Sequence, residues 1–359
     1  MKSKHSLLAI QIHAALIAAA VGLSPAAFAQ ESDKAKQEDQ ALEVIMVTAQ
    51  KRVQSTQEVP ISVATLSGEK FDAIFAGGDD IQALGVKVPG LYAESSNGRA
   101  APRFYIRGLG NTDFDLAASQ PVSVIMDDVV MENVILKSFP LFDIDQVEVI
   151  RGPQGTLFGR NTTAGMVKFG TVKPRQEFDA YTKLSVGNLG TFNFEGAAGG
   201  SLTNELSARV SVLSQNRDDY IDNIFTNVKD FTGGFDEKAA RAQFLYEQGN
   251  TTALLNIHTR KLDGTSSIFR ANVFNKGDNE LNGFYDRDSV AYNEGDGNFQ
   301  RYDNTGASLK LDFDLGDLTL TSITAQENAD GEGKGDIDGG TPAGPGFIPF
   351  QAVTEDQLK

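Results

Sequence analysis

Cysteine is absent from all 359 residues. Disulfide staples, thiolate nucleophiles and thiolate metal sites are therefore excluded, and stability must come from burial or from a membrane. Histidine is scarce. Of three in the chain, His5 and His13 fall in the first segment, which leaves His258 with no second imidazole for metal or triad chemistry. Basic charge is outweighed: 32 Lys and Arg stand against 48 Asp and Glu, a net charge of −16. That balance argues against a nucleic-acid partner and suits exposed acidic loops. Beyond Leu23, no stretch approaches the roughly 18 apolar residues of a spanning helix.

A phosphate cradle is missing too. Asp145 to Pro174, DQVEVIRGPQGTLFGRNTTAGMVKFGTVKP, runs from an apolar strand into a glycine-bearing loop but contains neither G-x-x-x-x-G-K-[ST] nor G-x-G-x-x-G. No acids, bases and nucleophile converge beyond scattered carboxylates. An enzyme is not expected, and no cofactor or metal site is assigned.

What is present begins with a leader. A charged start, the largely apolar Leu7 to Leu23, and Ala27-Phe28-Ala29 before Gln30 read as a secretory signal over residues 1–29. Residues 30–57 read as a tether, whose first part, Gln30 to Gln40, is too poor in apolar side chains to fold alone. Within it Glu43, Val44, Ile45, Met46, Val47, Thr48 and Ala49 form a short strand-prone run. A lone strand on a tether suits addition to another protein's sheet, and the alternative is an ordinary first strand of the next domain.

Residues 58–178 read as a small α+β domain. Strands are expected at Ile61 to Leu66, Arg103 to Arg107, Ser123 to Met126 and Gln146 to Ile150, with helices at Gly68 to Phe75 and Asp80 to Leu84. From residue 179 the hydrophobic period becomes two. Leu206, Ala208, Val210 and Val212 alternate with Ser207, Arg209 and Ser211, and the same rhythm returns around Phe192, Ala240, Leu255 and Leu309. Very short turns near Ser201, Gln248 and Gly316 alternate with long acidic connections at Ser214 to Glu237, Lys261 to Thr305 and from Asn328 onward. Strands of that kind describe an antiparallel transmembrane β-barrel, one face to lipid and one to the lumen. About seven strands are legible. An open edge cannot persist in hydrocarbon, so the barrel is expected to continue beyond Lys359. Asp330 to Asp336 has some spacing of a calcium loop, but Lys334 stands where an acid is wanted, and an unliganded loop is the expectation.

The residues resemble one family, the TonB-dependent outer-membrane receptors. Glu43 to Arg52 (EVIMVTAQKR) looks like the TonB box and Val59 to Leu66 (VPISVATL) like the first plug strand. Val88-Pro89-Gly90-Leu91, Phe104-Tyr105-Ile106-Arg107-Gly108 and Val147 to Pro174 follow in the family's order. Departures are Asp127-Asp128 where Asp-Gly is usual, Lys168 where Asn is common, and Ala164 in place of a second Gly.

The resemblance implies an α+β plug domain (58–178) ahead of the N-terminal part of the barrel (179–359), about seven strands of about 22. It implies a Gram-negative outer-membrane location, contact with lipid, and strand pairing of the box with TonB. Its function would be energised import of a scarce ligand. A ferric siderophore is the default, with cobalamin, oligosaccharide, aromatic compounds or a non-transporting binding role as alternatives. Arg107, Glu148 and Arg151 are expected at polar contacts between plug and barrel wall, the alternative for the arginines being bonds inside the plug. Arg99, Asn111 and Phe114, on the plug's apical loops, are the candidate ligand contacts.

Overall fold

The structure, a computed structural model, describes residues 45–113, 118–293, 298–336, 339 and 353–358. The expected leader, most of the tether, Glu43, Val44 and Phe114 lie outside the described residues.

The first part carries β1 (Met46–Val47), β2 (Gln54–Ser55), β3 (Ser62–Ser67), α1 (Gly68–Phe75), β4 (Leu91–Glu94), β5 (Arg103–Ile106), β6 (Val122–Met126), β7 (Val129–Val130), β8 (Ile144–Arg151), α2 (Gly155–Phe158) and β9 (Gly165–Thr171). A five-stranded sheet in the order β3-β8-β9-β6-β7 is its frame. β8 and β9 are covered on both faces. Val147, Val149, Val167 and Phe169 face a core with Phe71, Leu84 and Phe104. Ile150 and Met166 face the other way, onto Val47, Ala49, Val59 and Phe158.

Local signals explain the short helices. Asp80 caps a 3-10 turn (Ile81–Val86) by accepting from the Gln82 amide at 2.9 Å, and Ile81 and Leu84 then enter the core. The glycine loop also has its reason. Gly165 opens β9 at φ +143°, where a Cβ would collide with the Ile150 carbonyl, so only glycine lets β9 close on β8.

The second part is an antiparallel sheet of eight strands. In order these are β10 (Asp179–Val186), β11 (Phe192–Ser201), β12 (Leu206–Arg217), then β15 (Phe235–Gln248), β16 (Thr251–Gly264), β18 (Phe299–Asp314), β19 (Thr319–Asp336) and β20 (Val353–Leu358). Between β12 and β15 lie β13 (Ile221–Asn223) and β14 (Val228–Thr232), and β17 (Ser289–Val290) lies between β16 and β18. These three form a small sheet of their own at the long-loop end.

The burial pattern is inverted relative to a soluble sandwich. Arg209, Glu237, Arg241, Gln243, Asn256 and Arg260 are buried against the plug, whereas Leu184, Val186, Val210, Ile257 and Leu320 are exposed on the opposite face. A wall between a polar plug and hydrocarbon requires that arrangement.

Two sequence expectations change here. The long connections are shorter than read, because β12 runs on to Arg217 and β16 to Gly264. Asp330 to Asp336 is not a loop. It is the end of β19, paired with β18 on one side and, from Gly331, with β20 on the other. Gly331 makes room for the Arg301 carbonyl and the Tyr302 ring in the neighbouring strand.

Candidate functional site

The segment read as the box is docked in its described part, Ile45 to Ala49, and both edges of its strand are occupied. On one side β1 pairs with β2, Met46 opposite Ser55 and Val47 opposite Gln54. The Ile45 carbonyl accepts from the Thr56 amide at 2.9 Å and from its hydroxyl at 2.6 Å. On the other side, plug side chains take the place of a strand. Thr48 donates to Glu148 Oε1 through its amide at 2.8 Å and its hydroxyl at 2.9 Å, and Gln146 Nε2 donates to the Met46 carbonyl at 3.0 Å. Val47 and Ala49 are buried beneath, while Ile45 and Met46 stay exposed.

This placement corrects the reading of Glu148. It was expected to face the barrel wall, but it sits 4% exposed on the face the box covers, and Thr48 is its partner. Arg151 also stays inside the plug, donating to the Pro89 carbonyl at 2.8 Å and to Ser62 Oγ at 3.3 Å. Arg107 is exposed at φ +52°, at the turn that follows β5.

The plug–wall contacts are made by residues the sequence reading did not choose. Asp143 receives Arg209 Nε at 2.8 Å and Nη2 at 2.6 Å, and Arg241 donates to the Asp143 carbonyl at 3.0 Å. Burial raises the Asp143 carboxyl, but donors from Arg209 and Ser211 and the Arg241 charge more than offset it and leave its pKa below the ordinary value. Asp127 is held by Lys173 and Thr171. Asp128 pairs with Lys168 at 2.7 Å and with Lys310 of β18 at 2.9 Å. Burial pushes Asp128 up, yet the two lysines bring it down to about 2. A signal for these contacts existed. Arg209, Arg241 and Arg260 sit at inward positions of alternating strands, and a charge that cannot face lipid must meet the lumen's contents.

Arg99 belongs to this seam. Its guanidinium donates to Glu237 Oε2 at 2.9 Å and to the Gly78 carbonyl at 3.0 Å, and it lies 3.9 Å from the centroid of the Phe235 ring. Arg260 takes the other Glu237 oxygen at 2.8 Å. Asn111 closes its own loop, donating to the Ser119 carbonyl at 2.7 Å and accepting from the Asp113 amide at 2.9 Å.

At the long-loop end a cavity of about 930 Å³ opens between the plug apex and the wall. Arg99 and Phe235 floor it in their stacked pair, and Asn193, Arg217 and Tyr220 line it from the wall. Asn193 is 7% exposed, and neither amide atom has a hydrogen-bond partner among the described residues. Arg217 extends over the Tyr220 ring, 5.4 Å from its centroid. An amide, a guanidinium and a phenol ring around open space can hold an anionic or oxygen-rich ligand.

Comparison with known proteins fits this geometry. Residues 55–166 match the family model described as the TonB-dependent receptor plug domain. An iron-regulated outer membrane virulence protein of Vibrio cholerae is 29% identical over 168 residues, 45% of this chain and 24% of that protein. A vitamin B12 transporter of Photobacterium profundum is 24% identical over 183 residues, 50% of this chain and 28% of that protein. Among solved structures, the ferric yersiniabactin uptake receptor from Yersinia pestis superposes with a TM-score of 0.66 at 19% identity, covering 76% of this chain and 42% of that one. This last is a likeness of fold. The alignments reach about a quarter of the length of these curated relatives.

Proposed function

We infer, for a chain that carries the plug domain of the TonB-dependent receptors and eight antiparallel strands of receptor type, that it serves energised import of a scarce ligand, a ferric siderophore, across the outer membrane. The observation that carries this reading is the box segment. It is held on the plug by side chains and a two-residue ladder, and is not built into the plug sheet. Hydrogen bonds to a charged acceptor contribute about 1.5–3 kcal/mol each, so such docking is firm and still reversible.

In this reading the leader is removed and the short-turn end of the sheet faces the periplasm. Ligand enters the cavity lined by Asn193, Arg217 and Tyr220. Ile45 to Ala49 then leave the plug, and the run from Glu43 to Ala49 pairs as an added strand with TonB, which transmits inner-membrane energy to the plug. Siderophore is favoured because the Vibrio relative is iron-regulated and the Yersinia structure is a ferric yersiniabactin receptor. Cobalamin is the second reading, favoured by the vitamin B12 transporter among the relatives.

The test uses the intact receptor with Val47→Pro. Proline removes the Val47 amide donor and fixes φ, which spoils an added strand at its centre. Ligand binding to cells is expected to persist while energy-dependent accumulation is lost. Unchanged accumulation would mean that the segment is not taken up by a partner.

A further inference from the structure

Lys168 stands in the middle of an apolar strand and is 6% exposed. Its Nζ lies 2.7 Å from Asp128 Oδ1, and Lys310 takes Oδ2 of the same carboxylate at 2.9 Å. Two ammonium groups thus share one carboxylate. Directly opposite Lys168 on the β8–β9 ladder is Glu148, on the same face of the sheet. Glu148 is met by neutral donors: the amide and hydroxyl of Thr48, and Gln146 Nε2 at 3.2 Å. Its second oxygen is buried with no hydrogen-bond partner among the described residues. Both side chains, with Thr48, Asp128 and Lys310, line one cavity of about 790 Å³.

We propose that Lys168 is a stand-by counter-ion for Glu148: when the box segment leaves the plug, Lys168 turns from Asp128 to Glu148, and Lys310 alone holds Asp128. The charges favour this exchange. Docked, one carboxylate carries two cations while the other relies on the box. Undocked, each carboxylate has one lysine. Without Lys168, removal of Thr48 would leave the Glu148 carboxylate with the Gln146 amide as its remaining donor and no cation beside it, a costly state for a charge so placed. Cross-strand neighbours start within a few ångströms at Cβ, and the open cavity leaves the long Lys168 side chain room to cross. Lys168 therefore lowers the cost of extraction and makes the segment available more often than its docked contacts alone would allow.

The consequence for transport rests on the reading of Glu43 to Arg52 as the segment a partner takes up. Undocking itself is measured without any partner, so the two ideas fail separately. Ala49 is 0% exposed when docked, so Ala49→Cys in the intact receptor, with any cysteine beyond Lys359 replaced, gives a reporter whose maleimide labelling rate follows the undocked population. Lys168→Asn and Lys168→Gln are expected to slow labelling by about tenfold or more, and Lys168→Arg to return it to within about threefold, because a stranded carboxylate is costly. The slowing is expected to vanish in the Glu148→Gln background, where no charge is stranded. A merely structural lysine would act in the opposite direction, since loosening the sheet speeds labelling. Labelling as fast as in the parent for both Lys168 variants, or slowing that persists with Glu148→Gln, would overturn the proposal.

Discussion

Arg209 of the barrel wall grips Asp143 of the plug with both ends of its guanidinium fork, Nε to Oδ2 at 2.8 Å and Nη2 to Oδ1 at 2.6 Å. Both side chains are buried, at 2% and 0% exposure. Breaking such a pair from one side costs more than the pair is worth, because the remaining charge loses its partner.

Asp143→Asn should therefore weaken plug docking by about 3 kcal/mol, the lower end of the range for a buried pair, because Asp179 still holds Arg209 Nη1 at 2.8 Å. The acid limb should change as well. The folded Asp143 pKa is lowered, so its contribution is complete above the unfolded aspartate value, about 3.9, and is lost as pH falls through the folded value. Urea titrations of the intact receptor, followed by plug hydrogen exchange, should show the parent losing stability below about pH 4 and the variant losing less.

Lys137 gives a prediction at the alkaline end. It is 2% exposed, with the Val122 carbonyl at 3.2 Å and Gln120 Oε1 at 3.4 Å as acceptors. Burial lowers its pKa from 10.5 to about 8. Between those values the unfolded chain binds more protons, so plug stability should rise with pH across that window, by on the order of 3 kcal/mol in total. Lys137→Met should flatten that rise. A parent and variant with the same slope from pH 8 to 10 would contradict it.

How much of this was legible depends on what each residue faces. The plug motifs around Val88, Phe104 and Val147 specify a local chain path, and the plug strands and helices that the pattern named fall within a residue or two of their places, whereas β4, β7, β9 and α2 went unnamed and the wall strands β12, β16 and β18 extend further than read. Glu148 was misplaced, and the wall pairing of Arg99 was missed, because their partners are 100 and 138 residues away. A carboxylate between two valines shows that something polar lies above the sheet, but not whether that is the wall or the chain's own box. Asp128 and Lys168, each a departure from the family pattern, turn out to pair with one another, with Lys310 as a second cation on Asp128.

Arg99, read as a ligand contact, lines the cavity and also bridges plug and wall. Arg99→Met is expected to increase hydrogen exchange through residues 95–102, because Gly78 and Glu237 lose a donor together. The loss should be moderate, about 1–3 kcal/mol, since Arg260 keeps Glu237 paired. Ligand affinity should fall only as far as the apex loosens. A variant with parental exchange and lost binding would restore Arg99 to the ligand's first contacts.

The outward face of the wall tests the membrane reading most directly. Val210 lies near the middle of β12, 53% exposed, between Arg209 and Ser211, which both point inward to Asp143. In water an arginine there would be close to neutral, since exposed substitutions away from special contacts shift stability little. Against hydrocarbon it should cost about 2–4 kcal/mol at the midplane and less toward either interface. Val210→Arg in the intact receptor should therefore fold poorly into bilayers, while Leu202→Arg, in the short turn after β11, should be tolerated. Folding yield into vesicles, read by heat-modifiable mobility, separates the two outcomes. Equal yields for both variants would mean that Val210 does not meet lipid, and the inverted burial of the wall would need a protein partner on its outer face to explain it.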